Sequence, residues 1–221
     1  MVNFTSNGKT IQTELFSPKG GVANGGVIVI AYGTFWMEAP WGEAIREYAD
    51  SLAQKGFTTL IPDYFGSTGT APGFLEPKPI LMHRDTWQQT FAGAITSAKA
   101  LSSVNPSRIG LLGFSLGAHI CLRNRSFAKV LVEFFAPQLD GLGTTSRSIT
   151  HAQIHHGLAD EIVQFNPNAD SIKDLLTKEG AVTELFEYPN ANHGFIGDDS
   201  YNLAARKDSM ERTLACFERN L

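Results

Sequence analysis

The chain has 221 residues, 43% of them hydrophobic, with 18 basic against 22 acidic side chains and a net charge of −4. That length suits one well-filled core, so a single domain spanning residues 1–221 is expected. An isoelectric point near 5.8 and the lack of any lysine or arginine cluster remove the electrostatic basis for binding nucleic acid or an anionic membrane, which leaves a small molecule as the expected partner.

In chain order, Thr10 to Phe16 alternates like a half-buried strand, and the glycine-rich Pro18 to Gly26 reads as a loop. Gly26 to Ala31 and Phe57 to Pro62 are short, β-branched and nearly all apolar, as buried parallel strands are. Between them, Ala44, Ile45, Tyr48 and Leu52 recur at helical spacing within Trp41 to Gln54, and Lys55-Gly56 supplies the stop. Phe65 to Pro79 is the one long irregular connection, of a kind usually functional or mobile. A helix from about Asp85 to Leu101, a strand over Ile109–Leu112, a helix over Leu116–Asn124 and a strand over Val130–Phe135 are expected next. The rest reads as a strand over Ala152–His156, a helix near Ala169–Lys178, a strand over Val182–Tyr188 and a final helix from Tyr201 toward Leu221. This alternation predicts an α/β fold, a mostly parallel twisted sheet with helices on both faces.

The N-terminus, MVNFTSNGKT, lacks the basic start and apolar core of a secretory signal, and no window approaches the ~18 apolar residues that span a bilayer. A soluble, cytoplasmic protein is expected, as a monomer or homodimer. Cys121 and Cys216 are far apart without metal-ligand spacing, and are read as reduced core thiols. His151, His155 and His156 cluster, but alternate strand positions face opposite sides, so no metal and no cofactor are expected.

One local motif carries chemistry. Gly113-Phe114-Ser115-Leu116-Gly117 follows an apolar strand and precedes a helix, the context of a nucleophile elbow, in which a serine sits on a strained turn and the flanking glycines avoid collision with neighbouring backbone. In that fold an acid and then a histidine should follow, each at the C-terminal end of a later strand. Asp160 follows the strand ending at His156, with Glu161 as its one serious rival, and His193 follows the strand ending at Tyr188. Of the other histidines, His119 belongs to the helix after Ser115, His151, His155 and His156 come too early in the chain, and His83 falls near a pocket rim.

The chain resembles the dienelactone hydrolase family of the α/β-hydrolase superfamily. The likeness rests on VIVIAYGTF, KGFTTLIPDYF, IGLLGFSLGA, HHGLADEIV and YPNANHGF, in family order and spacing over nearly the whole length. It implies an α/β-hydrolase fold and a serine hydrolase cleaving small carboxylic esters or lactones through Ser115, His193 and Asp160 by way of an acyl-enzyme, the family pattern HGxxD assigning the acid to Asp160. Three departures stand out. The family's best-known members have cysteine where this chain has Ser115, and a glutamate paired with that thiol where it has Gly33. They also place a substrate-binding arginine where it has Gly197.

Transition-state chemistry adds an oxyanion hole from the backbone N–H groups of Thr34 and Leu116. The pocket wall is expected to draw on Phe35, Trp36, Met37, Trp41, Phe65, Phe74, Met82 and Trp87, with Arg84 as a candidate cation for a substrate carboxylate. With Gly197 unable to supply a second cation, neutral short-chain or aryl esters are expected over carboxylate-bearing lactones. A thioesterase or C–C bond hydrolase would use the same triad, and a non-catalytic binding protein on the same shell is the remaining alternative.

Overall fold

A computed structural model describes residues 2–19, 23–143 and 149–221. The chain opens with a two-stranded hairpin, β1 (Phe4–Ser6) and β2 (Lys9–Ile11), joined through Asn7-Gly8 with both residues at positive φ. This asparagine-glycine turn is a standard hairpin signal, and the single strand expected over Thr10 to Phe16 breaks at Gln12, its first residues going to β2. β3 (Thr13–Phe16) instead joins the main sheet antiparallel to β5 (Thr58–Pro62). Of the loop expected over Pro18 to Gly26, residues 20–22 lie outside the described residues.

The main sheet has seven strands in the order β3-β5-β4-β6-β7-β8-β9, all parallel except β3. β4 is Val27–Ala31, β6 Ile109–Phe114, β7 Val130–Phe134, β8 His151–Gly157 and β9 Val182–Tyr188. The chain runs outward one way from β4 to β5, then crosses back to β6 and proceeds the other way. The C-terminal ends of β4 and β6 therefore flank the point where strand order reverses, the crevice in which parallel sheets gather ligands.

Helices α1 (Trp41–Gln54), α2 (Pro77–Lys99), α3 (Leu116–Arg123), α4 (Phe165–Lys178) and α5 (Ser200–Asn220) cover the sheet. Strand parity on β6 separates the two faces. A side chain at Gly113 would strike Ala118 of α3 at 2.5 Å, whereas one at Gly110 would strike Phe217 of α5 at 2.6 Å. Residues of odd offset on a strand point oppositely, so α3 and α5 lie on opposite faces. α1 shares the α5 side, where Tyr48 donates to or accepts from Ser209 at 3.0 Å. Ile45, Tyr48 and Leu52 of the expected stripe are buried, Ala44 is half-buried and Ala49 joins them, and burying Leu52 alone contributes about 1.5–3 kcal/mol.

α2 begins at Pro77, eight residues before the expected Asp85. Pro77 and Pro79 suggest a loop by composition, but the first turn of a helix needs no N–H from its opening residues and proline there is pre-set for helical φ. Trp87 falls inside the helix already expected from Asp85, on its buried face. Its ring is 0% exposed, packs 4.6 Å from the equally enclosed Phe65, and its Nε1–H donates to Thr68 at 2.8 Å. Trp87 and Phe65 are core residues, not pocket wall. Trp87→Ala should cost about 3–5 kcal/mol in unfolding free energy. Unaltered stability in denaturant titrations would contradict this placement.

Candidate active site

Ser115 begins the turn between β6 and α3 with φ 53 and ψ −123, a conformation that non-glycine residues rarely adopt. Surrounding contacts hold it there. Its N–H donates to the Phe134 carbonyl at 2.9 Å, and a side chain at Gly117 would come within 2.2 Å of the Ala31 and Tyr32 carbonyls. Only glycine allows α3 to pack this close to β4. Gly33 is similarly placed, since a Cβ there would lie 3.2 Å from Ser115 Cβ.

Asp160 sits in the turn after β8, 5% exposed, and Oδ1 accepts from the N–H groups of Ile162 and Val163 at 2.9 and 2.8 Å. Oδ2 accepts from His193 Nδ1 at 2.7 Å. Because that bond fixes the proton on Nδ1, Nε2 is left to accept from the Ser115 hydroxyl at 3.1 Å. The three side chains thus form one hydrogen-bonded chain across 78 residues of sequence. Glu161 is exposed and outside that chain. The Phe135 ring lies 4.5 Å from the imidazole and covers it.

His156 is a neighbour that sequence reading passed over. Burial holds its imidazole below the ordinary range, and its Nε2–H donates to the Val163 carbonyl at 2.7 Å, 3.5 Å from Asp160 Oδ2. It braces the turn that carries the acid. The other histidines take no part: His155 is stacked between Phe134 and Phe186, and burial drives both it and His119 down to about 3. Both thiols are buried, and desolvation raises that of Cys216 to about 11 and that of Cys121 well above its usual value. Neither has the thiolate character of a nucleophilic cysteine.

A cavity of about 680 Å³ opens over Ser115 and His193, within the usual size range of ligand sites. Thr34, Leu116, Phe35, Trp36, Trp41 and Phe74 line it, as expected, and Trp41 stacks on Phe35 at 4.4 Å. The backbone N–H groups of Thr34 and Leu116 have no partner among the described residues. Met37, Met82 and Arg84 do not line the cavity. Arg84 Nη1 donates to the Asp140 carbonyl at 2.5 Å, because the early start of α2 turns that residue toward the segment after β7. Asp85 pairs with Arg123, not with Arg84. The cavity's guanidinium is Arg206 of α5, whose Nη2 donates to the Gly197 carbonyl at 2.9 Å. No local motif announces it, since nine residues and a change of element separate it from Gly197.

Residues 11–221 match the Dienelactone hydrolase family. The chain belongs to that family. Among curated proteins it is 29% identical over 201 residues, 80% of each chain, to a Synechocystis sp. protein provisionally named a carboxymethylenebutenolidase. It is 24% identical to the carboxymethylenebutenolidase of Rhodococcus opacus, over 80% of this chain and 75% of that one. Among solved structures, a dienelactone hydrolase-like promiscuous phosphotriesterase from metagenomic libraries superposes with a TM-score of 0.78 at 21% identity, over 99% of this chain and 96% of the other. A Xanthomonas campestris α/β serine hydrolase without a lid gives 0.70 at 18% identity, covering 99% and 93%. The fold is that of the α/β hydrolases, and this dienelactone hydrolase family member is a hydrolase acting on a small molecule. Among the described residues no helix is long and apolar enough to cross a membrane.

Glu133 on β7 is the one acidic side chain fully enclosed in the sheet among the described residues apart from Asp160. Oε2 accepts from the Ala136 N–H at 2.9 Å, which ties down the turn carrying Phe135 at φ 42, and burial raises its carboxyl to about 8. The fold therefore favours the neutral acid. Its contribution is fully present below the ordinary value of 4.5 and is lost as pH rises toward 8, where the folded form ionises as well. Each pKa unit is worth about 1.4 kcal/mol, so Glu133→Gln should gain on the order of 4 kcal/mol over wild type at pH 8.5 relative to pH 4.5. Urea unfolding at both pH values reads this, and an equal stability difference at both would contradict it.

Proposed function

We propose that this chain, as one domain, is a serine carboxylester hydrolase whose nucleophile is Ser115, with His193 as base and Asp160 as its orienting acid. The observation that carries the reading is the hydrogen-bonded chain from Asp160 Oδ2 through His193 to Ser115 Oγ, at 2.7 and 3.1 Å. A serine hydroxyl attacks poorly at neutral pH, so the base must take its proton as the bond to the carbonyl carbon forms. Asp160 then faces the imidazolium and stabilises it. The carbonyl oxygen, now an oxyanion, is held by the N–H groups of Thr34 and Leu116, each worth about 3 kcal/mol in the transition state. The tetrahedral intermediate collapses as His193 Nε2 returns the proton to the leaving alcohol. Water repeats the sequence on the acyl-enzyme and frees Ser115.

The wall supports neutral esters of small acyl or aryl groups. Phe35, Trp36, Trp41 and Phe74 offer carbon surface, and the cavity's charged residues, Arg206, Lys207, Glu47 and Glu211, balance in sign. A buried substrate carboxylate would need a dedicated cation, because an unpaired charge in such a site costs several kcal/mol. With one guanidinium, already bonded to Gly197, kcat/KM for p-nitrophenyl butyrate should exceed that for a dienelactone by about 10- to 100-fold. A panel of p-nitrophenyl esters and lactones run beside Ser115→Ala tests both parts. Preference for the dienelactone, lost in Arg206→Ala, would overturn the substrate reading and leave the hydrolase intact.

A further inference from the structure

The residues that line the cavity around Ser115 fall into two groups, one at the start of α2 and one on α1 and α5. Toward α2 it is lined by Phe74, Leu75 and Ile80, of which Phe74 is 69% exposed. On the other side it runs between α1 and α5, walled by Trp41, Ile45, Tyr48, Phe195 and Met210, and reaches solvent beside the exposed Glu47, Lys207 and Glu211. We infer that this second lobe is the subsite for the alcohol portion of the ester and takes an unbranched alkyl chain. The inference rests on the serine-hydrolase reading and names the substrate class for the same site.

Three observations lead there. First, the lobe is carbon-walled and its tyrosine is spent. Tyr48 packs its ring 5.3 Å from Phe114 and 5.4 Å from Phe134, while its hydroxyl bonds Ser209 at 3.0 Å, so its only phenol asks nothing of a ligand. A sugar or a polar headgroup would lose its hydrogen bonds on entering, whereas methylenes lose none. Second, the charged side chains of the cavity, Glu47 and Glu211 against Arg206 and Lys207, balance in sign, so this lobe does not select an ionic tail. Third, His193 must hand its proton to the leaving oxygen, and the turn His193–Phe195 that carries the imidazole also places Phe195 in the wall of this lobe. The leaving alcohol lies on the side of its proton donor, which assigns the acyl group to the opposite lobe by Leu75 and Ile80.

Met210, one turn past Arg206 on α5, lines this lobe and is partly buried, so its side chain is the one to alter to change the lobe's depth. The test is a series of n-alkyl acetates from ethyl to decyl, followed by acid release, beside a p-nitrophenyl series from acetate to octanoate. In the alkyl series kcat/KM should rise about three- to fourfold per methylene until the lobe is full, then level off. Met210→Trp should bring that break to a shorter chain and cut the octyl-to-ethyl ratio by about tenfold or more, and Met210→Ala should move it to a longer one. The ratio does not depend on how much of each variant folds. A flat alkyl series, a break that stays in place in both variants, or a length dependence confined to the acyl series would overturn the assignment. In each of those results acetate esters are still cleaved and the hydrolase reading stands, whereas a wild-type protein that cleaves no ester in either series refutes that reading itself.

Discussion

Ser115→Ala should lower kcat for p-nitrophenyl butyrate by about 10⁶-fold, the scale on which a serine hydrolase loses its nucleophile. The loss is not graded, because no other group can take the role. The described side chains within reach of His193 Nε2 include no second hydroxyl or thiol bonded to it, and both cysteines are buried with raised pKa values. Removing Oγ also leaves the unbonded N–H groups of Thr34 and Leu116, proposed as oxyanion donors, and the apolar wall in place, so substrate binding should persist and the residual rate should stand above that of water alone. Stability should rise slightly or stay unchanged. The strained φ of 53 at Ser115 is imposed by Gly117 and the Phe134 carbonyl and would be no worse for alanine. A variant retaining a tenth of wild-type turnover would mean that the chemistry runs elsewhere.

Asp160→Asn should reduce turnover by about 10⁴-fold. The carboxylate accepts from His193 Nδ1 and so keeps the Nε2 lone pair facing Ser115; an asparagine that rotates its amide toward the ring donates there and reverses the tautomer. Oδ1 has a separate task, accepting from Ile162 and Val163, which an amide oxygen can do only if its nitrogen faces His193. The backbone requirement thus forces the wrong tautomer. Glu161→Gln, at the exposed adjacent position, should stay near wild type. The two variants measured side by side under saturating substrate decide the point, and a reversal of their order would reassign the acid.

Much of this site could be read from the chain because each part is local. GFSLG, HGLAD and NANHG each lie at the C-terminal end of a strand, and in a parallel sheet those ends converge on one edge, so three separate motifs arrive together. Trp41 to Gln54 was equally legible, its 3.6-residue stripe being uninterrupted. What escaped depends on tertiary facts. Pro77 and Pro79 read as loop until the first turn of α2 is seen to need no N–H from them. Trp87 and Arg84 belong near the right loop in sequence, yet the rotation of α2 about its axis, which its packing fixes, points one into the core and the other toward Asp140. Arg206 reaches the cavity from a helix face that periodicity leaves undistinguished from solvent-facing positions. Glu133 did leave a trace, a single acid inside the apolar run VLVEFF, where burial on both faces makes a charge costly.

The most direct test of the account is covalent. Incubation with a fluorophosphonate, followed by peptide mapping, should place one phosphonyl group on Ser115 per chain, with turnover falling in proportion to labelling and no reaction in Asp160→Asn at matched times. Full inactivation by a thiol reagent with Ser115 unmodified would contradict it.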